Sequence, residues 1–336
     1  MAGALCAGCK KLPLDISDPD TLKSTGTASF KRPNAGTTCP FCQLAGASMD
    51  KPEDRIQWGP TFGLRFDTEG TRFVFLNPPE TISPHWSGQP VPDQLVPGLV
   101  RKWLTTCEHL HHGQCPPRKG IVKQEENGEG LKILRVIDVT DGRVVEAPRD
   151  CRYVALSYVW GTSSLRSPYT DEQVAVWIEN GLLTNPFYKD MLPTILAGNG
   201  YTHLLHTAET AGALENGLFR DPQRKKEVPR TIRDAMDLVS AIGERYLWVD
   251  SLCLIQDDPA DMKNGIDHMD LVYEGAIMTI IAAIGDHNNA GLPGLHPGTR
   301  KNRQMTVEVR PGMRMGTVGG LFWPLSTTKY MKRGWT

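Results

Sequence analysis

Between residues 228 and 285 the apolar positions follow a helical period, then a continuous run, then a helical period again. The first helix is predicted to begin after Pro229 and to end at Gly243, with Thr231 and Asp234 spaced as in a capping box. Its predicted buried face has the 3.6-residue spacing and consists of Ile232, Ala235, Met236, Val239 and Ile242.

The run over residues 246–255 is apolar on both faces except at Asp250 and Ser251, which predicts a buried, parallel strand. Asp258 followed by Pro259 indicates the capped start of a second helix. Residues 277–284, rich in Ile, Thr and Ala, predict another buried strand. We therefore expect an α/β fold with a flavodoxin-like parallel sheet, helices on both faces and a ligand site at the carboxyl ends of the strands.

Shorter elements are predicted in the rest of the chain. Residues 62–66 and 72–76 predict strands, and residues 131–146 predict a hairpin that turns at Asp141 and Gly142. Residues 153–161 predict a buried strand whose carboxyl end lies on the same sheet edge as Asp250.

These patterns divide the chain into three predicted segments. Residues 1–50 form a small cysteine-containing region, residues 51–130 hold a β element, a proline-rich connector and a Cys/His segment, and residues 131–336 form the main domain.

Composition excludes several classes of protein. The formal net charge of −1 argues against general electrostatic binding to nucleic acid or to an anionic membrane, and no stretch predicts a membrane span. The first residues lack the pattern of a signal peptide, so we expect a cytoplasmic protein. In that reducing compartment the eight cysteines are expected to be thiols or metal ligands rather than disulfides.

Two Cys-x-x-Cys pairs near the amino terminus predict a structural zinc site with the ligands Cys6, Cys9, Cys39 and Cys42. Equally, the four residues are compatible with unligated cysteines, Cys39 and Cys42 being buried beside Phe41. A redox role is less favoured because neither pair stands in a βαβ pattern.

A second group of metal-ligand residue types recurs every four positions, at Cys107, His111 and Cys115. In a helix this spacing places all three on one face. Because no fourth partner is evident, the segment is interpreted as a helix end packed on the main domain rather than as a metal site.

Several segments resemble, in order and wording, the fungal heterokaryon incompatibility (HET) domain. They are Tyr153-Val-Ala-Leu-Ser-Tyr-Val-Trp-Gly161, Pro229-Arg-Thr-Ile-Arg-Asp-Ala235, residues 245–258 around Trp248-Val-Asp250, Met269 with Val272-Tyr273 and Ala276, and Gly291-Leu-Pro-Gly294. The resemblance implies a filamentous-fungal protein of non-self recognition, in which contact between incompatible cells triggers death. It also implies distant kinship with the Toll/interleukin receptor-like (TIR) fold, some members of which cleave NAD.

Two stretches depart from the family's pattern. Residues 162–228 form a long interval in which Leu192-Pro-Thr-Ile195 echoes the start of the Pro229 motif. Residues 332–336 look like the opening of the family's last motif, so we expect the chain to be a truncated fragment.

The candidate site lies at the predicted strand ends. Asp250 and Glu274 are the candidate catalytic acids, the latter because a TIR-like glycohydrolase needs a helix-borne glutamate. The candidate residues for binding NAD as substrate are Ser157, Trp160, Gly161 and Asp257. A structural role for Asp250, accepting backbone N–H groups or pairing with Arg245 or Arg233, is the alternative.

Two functions of different class follow from this resemblance. The first is a signalling and assembly module that self-associates or binds another incompatibility protein and so triggers death. The second is an NAD glycohydrolase with its pocket near Ser157 and Asp250. DNA binding is less favoured, because no basic stripe accompanies the cysteines.

Overall fold

The chain divides into two compact units. Unit 1 comprises Met1–Asp93 and Arg300–Ser326, and unit 2 comprises Gln94–Thr299 and Thr327–Thr336. This computed structural model describes residues 4–14, 24–34, 36–49, 52–59, 63–66, 72–76, 87–111, 114–122, 130–161, 204–300, 304–318 and 328–332. The departures at 192–195 and 333–336 lie outside those residues, and the three-segment division stays a prediction.

The described part of unit 1 contains a seven-stranded sheet in the order β1-β2-β3-β4-β12-β11, with β5 paired to β4. Neighbouring strands are antiparallel except for β4 and β5. The strands are β1 Gly26–Lys31, β2 Glu53–Gly59, β3 Gly63–Phe66, β4 Arg72–Leu76, β5 Ser87–Gly88, β11 Thr306–Arg310 and β12 Met313–Val318. The strands predicted at 62–66 and 72–76 are thus confirmed as β3 and β4.

The core of unit 1 forms between this sheet and helix α1, Pro40–Ala47. Phe41 on α1 is fully buried, and its ring centroid lies 5.2 Å from that of Phe73 on β4. Ile56 and Leu64 are buried in the same cluster, which also contains Cys9 and Cys39. Two of the predicted zinc ligands are therefore part of the hydrophobic core.

Unit 2 is built on a five-stranded sheet in the order β10-β8-β9-β6-β7 within the described residues. The strands are β6 Arg135–Asp138, β7 Arg143–Glu146, β8 Tyr153–Tyr158, β9 Tyr246–Trp248 and β10 Met278–Ala282. β10, β8 and β9 are mutually parallel, whereas β6 is antiparallel to both β9 and β7. The hairpin β6–β7 is confirmed, and β8 is buried along its whole length.

The predicted parallel, flavodoxin/TIR-like sheet is therefore wrong. Unit 1 carries an essentially antiparallel sheet, and the sheet of unit 2 is mixed. The cause is the hairpin β6–β7, which adds to β9 in the antiparallel sense instead of leaving the parallel strands to form a sheet by themselves.

Helices pack against this sheet, and two of them begin where the apolar spacing predicts a helix, after Pro229 and after Asp258. The helices are α2 Pro97–Leu110, α3 Ala208–Glu215, α4 Arg230–Ala241, α5 Asp250–Cys253, α6 Pro259–Asp267 and α7 Met269–Gly275. The buried face of α4 is confirmed, because all five predicted residues are at most 4% exposed. Gly243 ends that helix with φ +81°, and Asp258 caps α6 by accepting the N–H groups of Ala260 and Asp261.

Two local predictions in this region are wrong. Thr231 and Asp234 form no capping box, because their side chains bind the backbone of Gly291 and Leu292 instead. The ten-residue strand predicted at 246–255 is a three-residue strand, β9, followed by the helical turn α5. An apolar run does not distinguish a buried strand from a buried helical turn.

The turn after β6 is organised by the buried carboxylate of Asp138. Its Oδ1 accepts the N–H groups of Thr140 and Asp141 at 3.1 and 3.0 Å, and Arg245 donates to both oxygens, at 2.7 Å in the shortest case. Burial by itself raises the pKa of Asp138, but the hydrogen bonds from Arg245 and the turn, with the charge of Arg245, hold it below its usual value.

This lowered pKa predicts a loss of stability in acid. A carboxyl group whose pKa is lower in the folded state stabilises the fold above its unfolded pKa of about 3.9, and this stabilisation disappears as the pH falls through the folded value. We expect Asp138→Asn to cost about 2 kcal/mol at pH 6, allowing for the half-exposed Arg245, and less at pH 2.5. Urea unfolding at both pH values measures this; an equal loss at both contradicts it.

Candidate functional site

Four cysteines from two distant segments converge in unit 1. Cys6 precedes a short 3-10 turn, Cys9–Lys11, which begins at Cys9, and Cys39 and Cys42 lie at the start of α1. The four Sγ atoms are all within 4.8 Å of one another. Cys9 and Cys39 are buried at 2% and 3% exposure, so the group closes on the core side. The spacing predicted this group, and the cluster can hold a metal ion.

The sulfur separations fit a tetrahedral ion. Cys42 Sγ lies 3.8 Å from Cys6 Sγ and 3.4 Å from Cys9 Sγ. Four thiolates around zinc, with bonds of about 2.3 Å, place their sulfurs about 3.8 Å apart. The two Cys42 separations are therefore within a few tenths of an ångström of this value, and the other separations are at most 4.8 Å.

The protonation of these thiols depends on such an ion. A hydrogen bond from the backbone N–H of Cys9 lowers the pKa of Cys6 to about 7. Burial raises the pKa of Cys9 far above the usual thiol value and that of Cys42 to about 12. A divalent cation among the sulfurs reverses this balance, because it stabilises the thiolates directly.

In unit 2 the ends of β8 and β9 bring Trp160 and Asp250 together. The indole Nε1–H of Trp160 donates to Asp250 Oδ2 at 3.0 Å, and the N–H of Ser251 donates to Asp250 Oδ1 at 2.8 Å. Asp250 is 5% exposed and lies on the first residue of α5, directly after the β9 strand. Of the structural alternatives for Asp250, acceptance of a backbone N–H is therefore observed, whereas the guanidinium of Arg245 binds Asp138.

The hydroxyl groups near these strand ends bind one another. Tyr158 donates to Ser251 Oγ at 2.9 Å, and Tyr330 donates to Ser157 Oγ at 3.0 Å. The Trp160 ring stacks on Tyr158, with centroids 6.5 Å apart and an interplanar angle of 21°. Trp160 is thus held by an aromatic neighbour within the protein.

Gly161 ends this strand in a conformation that requires glycine. Its φ is +100°, and a Cβ at this position would lie 2.7 Å from that of His287. Gly161 and His287 form an isolated β-bridge, so the close approach joins β8 to the loop after β10.

The other candidate acids lie in separate surroundings. Both oxygens of Asp257 are 3.0 Å from the N–H of Ala208, at the first residue of α3. Glu274 pairs with Arg118 at 2.7 Å, and both side chains are more than half exposed. Each of these carboxylates therefore has a structural partner, and Glu274 forms a surface ion pair.

Beyond this geometry, a family model described as heterokaryon incompatibility protein (HET) matches residues 153–336, more than half of the chain. The chain belongs to the heterokaryon incompatibility family. Searches of curated proteins and of solved structures find no match. The HET match contains all six candidate residues of unit 2, Ser157, Trp160, Gly161, Asp250, Asp257 and Glu274, whereas the four-cysteine group lies outside it.

Within the HET region, Asp234 is a buried residue whose role the sequence reasoning missed. Its carboxylate, 2% exposed, accepts the N–H of Leu292 and lies 2.8 Å from His296 Nε2. The hydroxyl of Thr231 accepts the N–H of Gly291. These contacts join α4 to the loop that carries the Gly291-Leu-Pro-Gly294 motif.

His206 is a second buried polar residue that no sequence pattern indicates. It is 1% exposed, its Nδ1 lies 3.0 Å from the carbonyl oxygen of Leu252, and its Nε2 has no partner among the residues described. Burial lowers its pKa, so the neutral imidazole is favoured.

No described helix has the length and hydrophobicity needed to cross a membrane.

Proposed function

We propose that this HET-family protein acts in heterokaryon incompatibility as a signalling module that triggers cell death when its domains assemble. The observation that carries the proposal is strand β10 at the edge of the unit 2 sheet. Within the described residues β10 pairs only with β8, and Ile281 and Ile284 at or just beyond its end are 52% and 59% exposed.

The sequence of this edge favours pairing with another strand. Residues 275–285 contain no charged side chain. Proteins usually protect an edge strand with charges, proline or a bulge, because its free N–H and C=O groups pair readily with other chains. A charge-free edge with exposed isoleucines suits the addition of a strand from a partner.

The partner that we propose is a second copy of this chain. Two β10 strands related by a twofold axis can pair antiparallel and join their sheets, and such an interface closes on itself. Because neither edge carries charge, the two copies meet without repulsion.

Ile281→Lys is expected to weaken this assembly at least about tenfold, because pairing would bury a charge among apolar groups. Light scattering over a concentration series measures the association, and growth arrest on expression in a fungal host measures death. Ile133→Lys is the matched control, since Ile133 is an exposed isoleucine of the same unit outside the strands.

Each outcome has a separate meaning. Wild-type protein that assembles and kills, with both properties lost in Ile281→Lys and kept in Ile133→Lys, supports the proposal. If the wild type is monomeric and kills, and Ile281→Lys does not kill, the partner is a different chain. Equal behaviour of both variants rejects the edge as the assembly surface.

The second function, an NAD glycohydrolase, stays a prediction. Its acids Asp250 and Glu274 are engaged with Trp160, Ser251 and Arg118, which supports structural roles for them. We expect the protein of the assembly experiment to release no nicotinamide from NAD. Release that Asp250→Asn abolishes would favour the enzyme.

We further propose that Cys6, Cys9, Cys39 and Cys42 hold a structural zinc ion. Four thiolates without an open position are the donor set of structural rather than catalytic zinc. The ion links the amino-terminal turn to α1 and so closes the core of unit 1.

A further inference from the structure

The turn that follows helix α2 in unit 2 brings three further metal-ligand side chains together. Cys107 lies in the last turn of α2, and His111 is the residue that ends the helix. The N–H of Gln114 donates to the carbonyl oxygen of His111 at 3.0 Å, which turns the chain back toward the helix. Cys115 then lies next to His111. The helix supplies one pair of ligands and the turn supplies the third.

We infer that Cys107, His111 and Cys115 form a second zinc site, which differs in kind from the four-cysteine group. The three ligand atoms lie within 4.8 Å of one another, and His111 Nδ1 is 3.1 Å from Cys115 Sγ. Tetrahedral zinc with one nitrogen and one sulfur ligand separates these atoms by about 3.6 Å. A small rotation of the exposed side chains reaches that geometry.

The backbone that carries the ligands is held in place without the ion. Arg101 on α2 donates to the carbonyl oxygens of Ile242 and Ala241 at the end of α4. Near the other end of α2, Glu108 pairs with Arg152, which also binds Glu244. The helix that carries Cys107 and ends at His111 is therefore anchored by contacts that do not involve the ion, so losing the ion is expected to leave the fold of unit 2 intact.

Exposure and ligand number define what the site can do. Cys107 is half-buried, whereas His111 and Cys115 are exposed. Two thiolates and one neutral imidazole balance the charge of Zn²⁺, and within the described residues this group supplies three ligands. Zinc with three protein ligands keeps its fourth position for water or an added ligand. We therefore assign an exchangeable position, suited to a thiol, imidazole or carboxylate from a small molecule or a partner protein.

The test measures the zinc content of the full chain, purified in reductant and dialysed against zinc, by mass spectrometry. Two ions per chain are expected for the wild type, and one for Cys115→Ser and for His111→Ala. His109→Ala is the matched control, because His109 is exposed in the same last turn of α2 but outside the group; it keeps two ions. The variants should retain the wild-type circular dichroism spectrum.

Cobalt replacement tests the open position. Added imidazole is expected to shift the visible absorption bands of the Co²⁺ protein in the wild type but not in Cys115→Ser, where only the four-thiolate ion remains. A wild-type zinc content that Cys115→Ser leaves unchanged, or bands that imidazole leaves unchanged, would each overturn the inference. A Cys107–Cys115 disulfide that forms equally fast with and without zinc would also overturn it.

Discussion

Cys9→Ser is expected to remove one zinc ion and to abolish the cooperative unfolding transition of unit 1. Cys9 lies in the hydrophobic cluster of that unit at 2% exposure, so the change leaves a buried hydroxyl and an incomplete ligand set. Structural zinc contributes about 10–16 kcal/mol of apparent binding free energy in small zinc peptides. Even a loss of about 5 kcal/mol is comparable with the entire stability of many domains.

Calorimetry and zinc analysis of the same samples check this expectation. Cys151→Ser is the control, since Cys151 lies in unit 2 outside both cysteine groups and should keep the metal content and the unit 1 transition. A chelator strong enough to remove the ion should reproduce the Cys9→Ser result in the wild type. A Cys9→Ser protein with full zinc content and an unchanged transition contradicts the structural role.

The second large effect is expected at Asp234. Asp234→Ala removes the buried acceptor of the Leu292 N–H and the partner of His296, and it leaves Arg230, 3.8 Å away, without this carboxylate. Arg230 and His296 are half-exposed, so the cost arises mainly from the hydrogen bonds that the buried carboxylate accepts, about 2–3 kcal/mol. We expect the free energy of unfolding of unit 2 to fall by that amount.

Asp237→Ala is the matched control for this prediction. Asp237 lies three residues further along the same helix and pairs with Lys225 through a half-exposed side chain. Ion pairs at the surface contribute about 0–1 kcal/mol, so this variant should unfold nearly as the wild type does. Urea unfolding curves compare the two variants. Equal losses in the free energy of unfolding would show that the effect comes from replacing an aspartate in this helix and not from the hydrogen bonds of Asp234.

The four-cysteine group shows what a sequence can predict well. Two short ligand spacings, Cys6 with Cys9 and Cys39 with Cys42, imply convergence because a single ion needs all four thiolates. The α4 helix was equally predictable, since its apolar face repeats over the whole element.

Asp250 shows where such reasoning ends. Residues 246–255 were predicted as one strand because their apolar side chains are continuous, yet the backbone becomes helical at Asp250. The spacing of Thr231 and Asp234 predicts a local cap, because spacing along the chain does not show their contacts with Gly291 and Leu292. Likewise, the β6–β7 hairpin was evident, whereas its antiparallel pairing with β9 depends on contacts between residues more than a hundred positions apart.

The discontinuity of unit 1 has a consequence for synthesis on the ribosome. β4 pairs with β3 along one side and with β12 along the other. The residues of β12, Met313–Val318, are translated more than two hundred positions after β4. Until they emerge, the nascent sheet ends at an unfilled edge, while most of unit 2 has already been translated. Pairing between such distant segments is slow, and an unpaired edge in a growing chain is prone to wrong contacts. We therefore expect chaperones to bind the nascent chain mainly at the amino-terminal sheet.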